Sequence, residues 1–167
     1  QPVSYLTPLT GITPELLAAR GVALEEALAA LRAVLPCDAV LVGHSVHCDI
    51  RWLGFQRGVD FADTVDIAGL WRVWNTRYHS WSMFGQEHLA KVLLGEDLQG
   101  GAHNAACDAT KAMKLFRLHR ELDAQGGDAL AKAKQALLYV PVGPSFARRY
   151  PTFEGVCMGN KKTCRCG

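Results

Sequence analysis

The sequence predicts an α/β fold in which short parallel strands are flanked by helices. The continuous apolar run AVLV at 39–42 is typical of a strand that is buried on both faces of a parallel sheet. A turn and a helical pattern follow this run directly, and strand-like and helix-like segments alternate through the middle of the chain. That alternation favours a layered fold with parallel strands.

Each further element is predicted from periodicity and from residues that start or stop helices. Thr13 followed by Pro14 marks a helix start, and glycines at 21, 58 and 95 mark helix ends. A strand is predicted at 59–62, an irregular aromatic segment at 75–81, and little regular structure after Pro141. The predicted helices span 14–19, 24–35, 46–57 (with Ile50, Trp52 and Leu53 inward), 65–74 (capped by Asp63 and Thr64), 84–94, 105–122 and 128–138.

The helix that begins near Asn104 is the most informative stretch. Asn104 is a good N-cap residue, and apolar side chains recur at helical spacing in the sequence that follows it. Asp108 lies in the first turn at the edge of the apolar stripe, and His103 precedes the helix. A carboxylate near a buried face needs a partner or a metal ion. An acid in a first turn also stabilises a helix through the dipole alone, so both interpretations stay open.

Composition favours one globular domain with a separate tail. The chain has 167 residues, 49% of them hydrophobic, and a net charge of +2. We predict a main domain at 1–140 and a basic, flexible tail at 141–167. No apolar run is long enough to cross a membrane, and no secretory leader opens the sequence, so we expect an intracellular protein. The cysteines at 37, 48 and 107 stand in apolar contexts and are expected to be buried thiols.

Two acids occupy equivalent places in the predicted fold. Asp49 lies in the first turn of the helix that follows the 39–42 strand, and Asp108 lies in the first turn of its own helix. Functional groups of α/β folds gather at the carboxyl ends of the strands. Asp49, Asp108 and His103 are therefore predicted to surround one cation-binding pocket.

These residues resemble the motifs of the DEDDh family of 3′→5′ exonucleases, and most closely its eukaryotic RNA exonuclease subgroup. After a strand come Gly43 and His44, followed by Asp49 and an apolar pair; later, His103 precedes Asp108 by five positions. The resemblance covers roughly residues 3–122. Other matching segments are 9–13, Asp63-Thr64 and 89–95.

The resemblance implies an RNase H-like three-layer fold and two-metal-ion hydrolysis of phosphodiester bonds. Asp49 and Asp108 would be metal ligands, and His103 would take a proton from the attacking water. Leu9, Thr10 and His44 would contact the substrate. Mg²⁺ or Mn²⁺ suits such oxygen ligands. The partner would be nucleic acid with a free 3′ end, RNA favoured, and the location nuclear or nucleolar.

The family's first motif, Asp-x-Glu on the first strand, is absent from the printed sequence. The acids before Asp49 are Glu15, Glu25, Glu26 and Asp38, and none has that spacing. We therefore expect either a molecule cut off upstream, with its sheet truncated, or a relative that has lost the motif. With two of four carboxylates, the chain as printed is expected to have little or no nuclease activity.

Several residues keep two interpretations. His44 could instead bond within its own turn, and Leu9 and Thr10 could serve only the loop that enters a helix. The aromatic side chains Tyr78, Trp81 and Phe84 could stack on bases, although core positions are favoured. His47 and Cys48 lack a second pair at zinc-ligand spacing. A zinc site at Cys157, Cys164 and Cys166 is less favoured than a basic tail that contacts nucleic acid.

Two functions follow from the sequence. The first is a 3′→5′ exonuclease domain. The second is a non-catalytic relative that binds nucleic acid or protein through the same cleft and tail.

Overall fold

The computed structural model describes residues 2–96 and 104–158, which form two compact units. The larger unit comprises the described residues within 22–98 and 105–141. The smaller unit comprises those within 1–21 and 142–167 together with Asn104. The predicted division at residue 140 stays a prediction, and each unit is described by itself.

The larger unit alternates helices and short strands in the predicted manner. Residues Ala90–Leu94, which follow a helix at Gln86–Leu89, form a π-helical turn that ends at Gly95. In chain order its elements are α3 (Leu24–Val34), β1 (Val40–Gly43), α4 (Val46–Leu53), β2 (Asp63–Asp66), α5 (Ile67–Leu70), β3 (Val73–Asn75), β4 (Ser80–Ser82), α6 (Gln86–Leu89), α7 (Ala105–Gln125) and α8 (Ala129–Tyr139).

Strands β1 and β2 form a parallel pair, with Val40 opposite Asp63 and Gly43 opposite Asp66. The expectation of a strand at 59–62 and a helix from 65 is wrong, because 63–66 is the strand. The strand has an acid at each end and only Thr64 and Val65 between them, so it lacks the apolar signature of a buried strand. The β1 strand is itself only partly buried, since Val40 is half exposed.

The segment predicted to be irregular forms a β-hairpin. Strands β3 and β4 are antiparallel, with Trp74 opposite Trp81 and Val73 opposite Ser82. The aromatic residues in this segment suit a pleated surface, which explains why a strand forms there. Phe84, after the hairpin, is buried, whereas Tyr78 and Trp81 are exposed.

One apolar cluster fills the larger unit. Trp71 and Leu115 are fully buried in it, and Trp71 meets the His119 ring edge-on with centroids 5.2 Å apart. The cluster joins α5, the hairpin, α6, α7 and α8. Its remaining buried members are Ile67, Val73, Phe84, Leu89, Ala112 and Leu137.

The expected inward position of Trp52 is wrong, since 79% of this residue is exposed. Helix α4 ends at Gly54 rather than at Gly58. Its inner face consists of Val46, Ile50 and Leu53, which are spaced as one helical stripe, and Trp52 lies on the opposite side.

The expected burial of Cys37, Cys48 and Cys107 is also wrong, because all three are exposed. Cys37 lies in the turn before β1, and the other two lie in the first turns of α4 and α7. Apolar neighbours in sequence do not bury a residue that a turn directs toward solvent.

The smaller unit contains three short helices and a small hairpin. They are α1 (Thr7–Thr10), α2 (Pro14–Arg20), α9 (Phe146–Arg149), β5 (Thr152–Phe153) and β6 (Val156–Cys157). The Thr13 side chain caps α2, as its position predicts. After Pro141 the structure is more regular than expected, because the rings of Phe146, Tyr150 and Phe153 pack against one another.

Among the described residues, no helix combines the length and apolar character needed to cross a membrane.

The environment of His119 makes the stability of the larger unit depend on pH. Partial burial lowers the pKa of His119 below 6.5, and the nearby charge of Lys134 lowers it further, although Asp123 opposes this effect. The unfolded chain therefore binds the proton more readily than the folded chain does. The free energy of unfolding should fall as the pH decreases from about 6.5 toward the lowered pKa.

Urea unfolding at several pH values between about 5 and 7.5 tests this expectation. His119→Phe should flatten the dependence of stability on pH, because the titrating group is gone. Lys134→Met should flatten it partly, because one cause of the shift is removed. Identical slopes for all three proteins would contradict the assignment.

Candidate functional site

The Asp66 carboxylate connects the carboxyl ends of the two parallel strands. One oxygen, Oδ1, accepts a hydrogen bond from the Ser45 backbone N–H and another from the Ala68 backbone N–H, both at 2.9 Å. Ser45 belongs to the turn after β1, and Ala68 lies in the first turn of α5. One side chain therefore holds the turn between β1 and α4 against the start of α5.

The turn after β1 is tight. Ser45 adopts the left-handed conformation, with φ of 56°. A Cβ atom at Gly43 would lie 3.0 Å from the Cβ of Val46, closer than side chains normally approach. The Gly43-His44-Ser45 sequence therefore suits a sharp turn that directs α4 away from the strand.

Asp49 lies in the first turn of α4, as predicted, and is exposed. On the same turn, His47 Nδ1 lies 3.7 Å from Asp66 Oδ2. Helix α4 contacts both β1 and β2, so Asp49 and Asp66 belong to the same edge of the parallel pair.

His44 bonds to a distant segment rather than to its own turn. Its Nε2 atom lies 2.8 Å from the Phe84 carbonyl oxygen. Because a carbonyl oxygen only accepts hydrogen bonds, Nε2 carries the hydrogen. The end of β1 is thereby attached to the segment that leads into α6.

Asp108 lies in the first turn of α7, and the same segment reaches it. The Gln86 side-chain amide donates a hydrogen bond to the Asp108 carbonyl oxygen. Phe84 and Gln86 are two residues apart, a span of at most about 7 Å. His44 and the start of α7 therefore lie close together, and α7 also packs against β1.

The Asp108 carboxylate is paired with a lysine. Lys111 Nζ lies 2.9 Å from Asp108 Oδ1, and only 10% of the Lys111 side chain is exposed. A buried ammonium group needs such a counter-charge. The two residues are three positions apart on α7, so the pair also lies on one face of the helix.

The acids of this edge do not form a metal-binding cluster by themselves. Within 2–96 and 104–158, no three His, Cys, Asp or Glu side chains are placed to hold one ion. The predicted general base, His103, lies outside the described residues. Carboxylate oxygens suit a divalent cation, but the set that the structure describes is too small to hold one firmly.

The predicted substrate residues Leu9 and Thr10 lie on α1 of the smaller unit. The Thr10 hydroxyl donates a 2.8 Å hydrogen bond to the Tyr5 carbonyl oxygen, and it accepts one from the Ile12 N–H. This hydroxyl therefore orders its own loop, as expected if Thr10 serves only the loop that enters a helix.

Neither zinc candidate is completed by the described residues. Cys48 Sγ lies 3.4 Å from His47 Nε2, but no third ligand joins them within the described ranges. Cys157 lies on β6, and Cys164 and Cys166 fall beyond the described part of the chain.

Sequence reasoning missed Asp66 and Lys111. Asp66 precedes an apolar pair, which is the pattern of a residue that caps a helix, whereas the sequence predicts Asp63 and Thr64 as the cap. Lys111 was assigned no role, although its spacing from Asp108 is that of a helical ion pair.

The chain is similar to RNA exonucleases and to a solved nuclease structure. It is 35% identical to human "RNA exonuclease 5" over 118 residues, which is 69% of this chain and 14% of that protein. It is 37% identical to "RNA exonuclease 4" of Gibberella zeae over 82 residues, 48% of this chain and 24% of that protein. No protein-family model matches the chain.

The solved structure is the Neurospora crassa Pan2 catalytic unit, which comprises a protease and a nuclease domain. It superposes with a TM-score of 0.63 at 28% identity, over 83% of this chain and 22% of that chain. The prediction of an RNase H-like α/β fold with a short parallel sheet is thereby confirmed.

The fold and the sequence similarity together define a nuclease-like domain. The chain is similar in sequence to eukaryotic RNA exonucleases and in fold to the Pan2 catalytic unit. It spans 14% of the length of human RNA exonuclease 5, so the similarity concerns one part of that protein.

The role of Asp66 is tested by its effect on stability. Asp66→Ala should lower the free energy of unfolding by about 2 kcal/mol, because it removes a helix cap and leaves the Ser45 N–H without its acceptor. Asp66→Asn keeps an oxygen at the same place and should cost less than about 1 kcal/mol.

Asp63→Ala is the matched control, measured by the same urea titration. Asp63 lies on the same strand and forms a 3.0 Å ion pair with Arg57, but both side chains are largely exposed. Its loss should cost no more than about 1 kcal/mol. An Asp66→Ala protein as stable as the Asp63→Ala protein would refute the role given to Asp66.

Proposed function

We propose that this chain is the RNA-binding and catalytic part of a 3′→5′ exonuclease that hydrolyses phosphodiester bonds with divalent cations. One observation supports this most directly. The segment 84–86 bonds both to His44, after β1, and to the backbone of Asp108, at the start of α7. Two motifs that are far apart in the sequence thus meet at one edge.

Asp49 and Asp108 are proposed as metal ligands. Both lie in first turns of helices that contact β1, and carboxylate oxygens are ligands that Mg²⁺ and Mn²⁺ accept. His103, five positions before Asp108, is proposed as the general base, since imidazole titrates near neutral pH. His44 is proposed to contact the terminal nucleotides, while the roles of Leu9 and Thr10 stay predictions from the resemblance.

The two-cation chemistry of the DEDDh exonucleases needs more carboxylates than Asp49 and Asp108 supply. No Asp-x-Glu precedes Asp49 in the printed sequence. We therefore propose that the chain as printed trims RNA weakly or not at all, and that an Asp-x-Glu strand beside β1 would complete the site.

The alternative function is binding without cleavage. The observation that favours it is the ion pair between Lys111 and Asp108, because Lys111 supplies the positive charge that a cation would otherwise supply. Such a module would bind single-stranded nucleic acid through the same edge. Under either proposal, RNA is the favoured partner and the nucleus the proposed location.

A trimming assay separates the two functions. The chain, and the longest product of its gene, are incubated with 5′-labelled single-stranded RNA in Mn²⁺ or Mg²⁺. The exonuclease proposal expects the longer product to shorten RNA stepwise from the 3′ end, with a chelator or a blocked 3′ end abolishing the reaction. It expects little or no shortening by the chain alone.

The variants assign the residues. Asp49→Asn, Asp108→Asn and His103→Ala should each reduce the trimming rate of the longer product by about 100-fold or more. The control is Asp123→Asn, which changes an exposed acid near the end of α7, and this variant should trim normally.

RNA binding without trimming by the longer product would contradict the proposal and support the binding module. If the chain alone trims RNA and His103→Ala abolishes that trimming, the site in the printed chain is already complete.

A further inference from the structure

The hairpin at residues 72–83, called here the aromatic hairpin, has one face on the core and one face toward solvent. Trp74 and Trp81 are a cross-strand pair, with ring centroids 5.5 Å apart at an angle of 74°. Side chains alternate across a strand, so both indoles leave the same face. Val73, on the other face, is buried in the apolar cluster.

The solvent face carries more exposed aromatic surface than folding requires. Trp74 is 46% exposed, Trp81 50% and Tyr78, at the tip, 67%. Single exposed apolar residues are ordinary, but a contiguous group of large rings indicates a surface that binds something.

Two arginines are placed over these rings. The Arg72 Cζ atom lies 4.5 Å from the Trp81 ring centre, and the Arg77 Cζ atom lies 5.4 Å from the Tyr78 ring centre. Within the described residues, neither guanidinium group forms an ion pair. Contact with a ring orients a guanidinium group and leaves its N–H donors available.

The charge of this surface has one sign. The sequence from 72 to 83, RVWNTRYHSWSM, contains two arginines and no acid. Lys134 on α8 lies near Arg72: burial lowers the pKa of Lys134 and the charge of Arg72 lowers it further, although the nearby Asp123 raises it. A ligand for this surface should therefore be flat and apolar in part, and negatively charged.

The tip is held in place before any ligand binds. The Asn75 Oδ1 atom accepts hydrogen bonds from the backbone N–H groups of Arg77, at 3.0 Å, and Tyr78, at 3.3 Å. The Asn75 amide also donates to the Ser82 hydroxyl at 3.2 Å. These bonds fix the direction of the tip, which reduces the entropy lost on binding.

We propose that the aromatic hairpin binds single-stranded RNA, with bases stacked on Trp74, Trp81 and Tyr78 and phosphates held by Arg72 and Arg77. Nucleic-acid bases provide flat apolar faces, and the phosphates provide the negative charge that the surface lacks. Trp, Tyr and Arg are also enriched in protein–protein interfaces. The two arginines without an acid in residues 72–83 are what favour a partner with a phosphate backbone.

The hairpin is continuous with the proposed cleavage site. Phe84 follows β4 by two residues, and its carbonyl oxygen is the one that His44 contacts. RNA on the hairpin would thus lie beside the edge that carries Asp49 and Asp108. This specific placement rests on the proposed function; binding by the hairpin itself does not.

The test measures RNA binding without cleavage. Fluorescence anisotropy of a labelled single-stranded RNA of about twelve nucleotides is recorded in a chelator, at low and at high salt. Trp81→Ala and Trp74→Ala should each weaken binding about tenfold or more. Trp81→Phe keeps a ring and should lose much less, which separates stacking from misfolding.

Charge and aromatic controls come from the same unit. Arg72→Ala should weaken binding and reduce its dependence on salt, whereas Arg120→Ala, an exposed arginine on α7, should do neither. Tyr139→Ala removes an exposed ring at the end of α8 and should bind normally. RNA of the same length without bases should bind the two tryptophan variants and the parent alike, whereas Arg72→Ala should still weaken its binding.

Three results would overturn the proposal. The first is equal RNA affinity of the parent and the two tryptophan variants. The second is equal binding of RNA with and without bases by the parent. The third is a parent dimer that Trp74→Ala converts to a monomer, since the surface would then bind a second copy. If the tryptophan variants lose binding but the longest gene product never trims RNA, the hairpin proposal stands and the exonuclease proposal fails.

Discussion

The geometry of the candidate site depends on the hydrogen bonds that one oxygen of Asp66 accepts. Because Oδ1 serves both Ser45 and Ala68, the turn after β1 and the start of α5 cannot move independently. Helix α4, and Asp49 with it, takes its direction from that turn. A carboxylate at the end of a short strand thus sets the position of a proposed metal ligand.

A second set of contacts brings α7 to the same edge. The segment 84–86 reaches His44 on one side and the Asp108 backbone on the other. The same segment follows the aromatic hairpin, so the proposed RNA surface and the proposed cleavage site share one short stretch of backbone. RNA binding at the hairpin and positioning of the RNA at the proposed cleavage site would therefore be coupled through this backbone.

Much of the fold could be predicted from the sequence. The β1 strand, the Gly43-His44-Ser45 turn and the first-turn positions of Asp49 and Asp108 follow from apolar runs and helix signals. The β2 strand could not be predicted, because 63–66 contains two acids and is stabilised by pairing with β1. Trp52 is exposed because Val46, Ile50 and Leu53 form the inward stripe of α4 and position 52 lies off that stripe. The roles of the site residues stay predictions, since they depend on groups that meet only in three dimensions.

The central claim is that Asp49 and Asp108 face one cation-binding cleft. Nuclear magnetic resonance of the ¹⁵N-labelled chain during a titration with Mn²⁺ tests it most directly, because the ion broadens only nearby signals and even weak binding is visible. We predict that the amide signals of Asp49 and Asp108 broaden together, while that of Asp123, about 22 Å from Asp108 along α7, persists. Broadening of one without the other, or equal broadening of all three, would contradict the account.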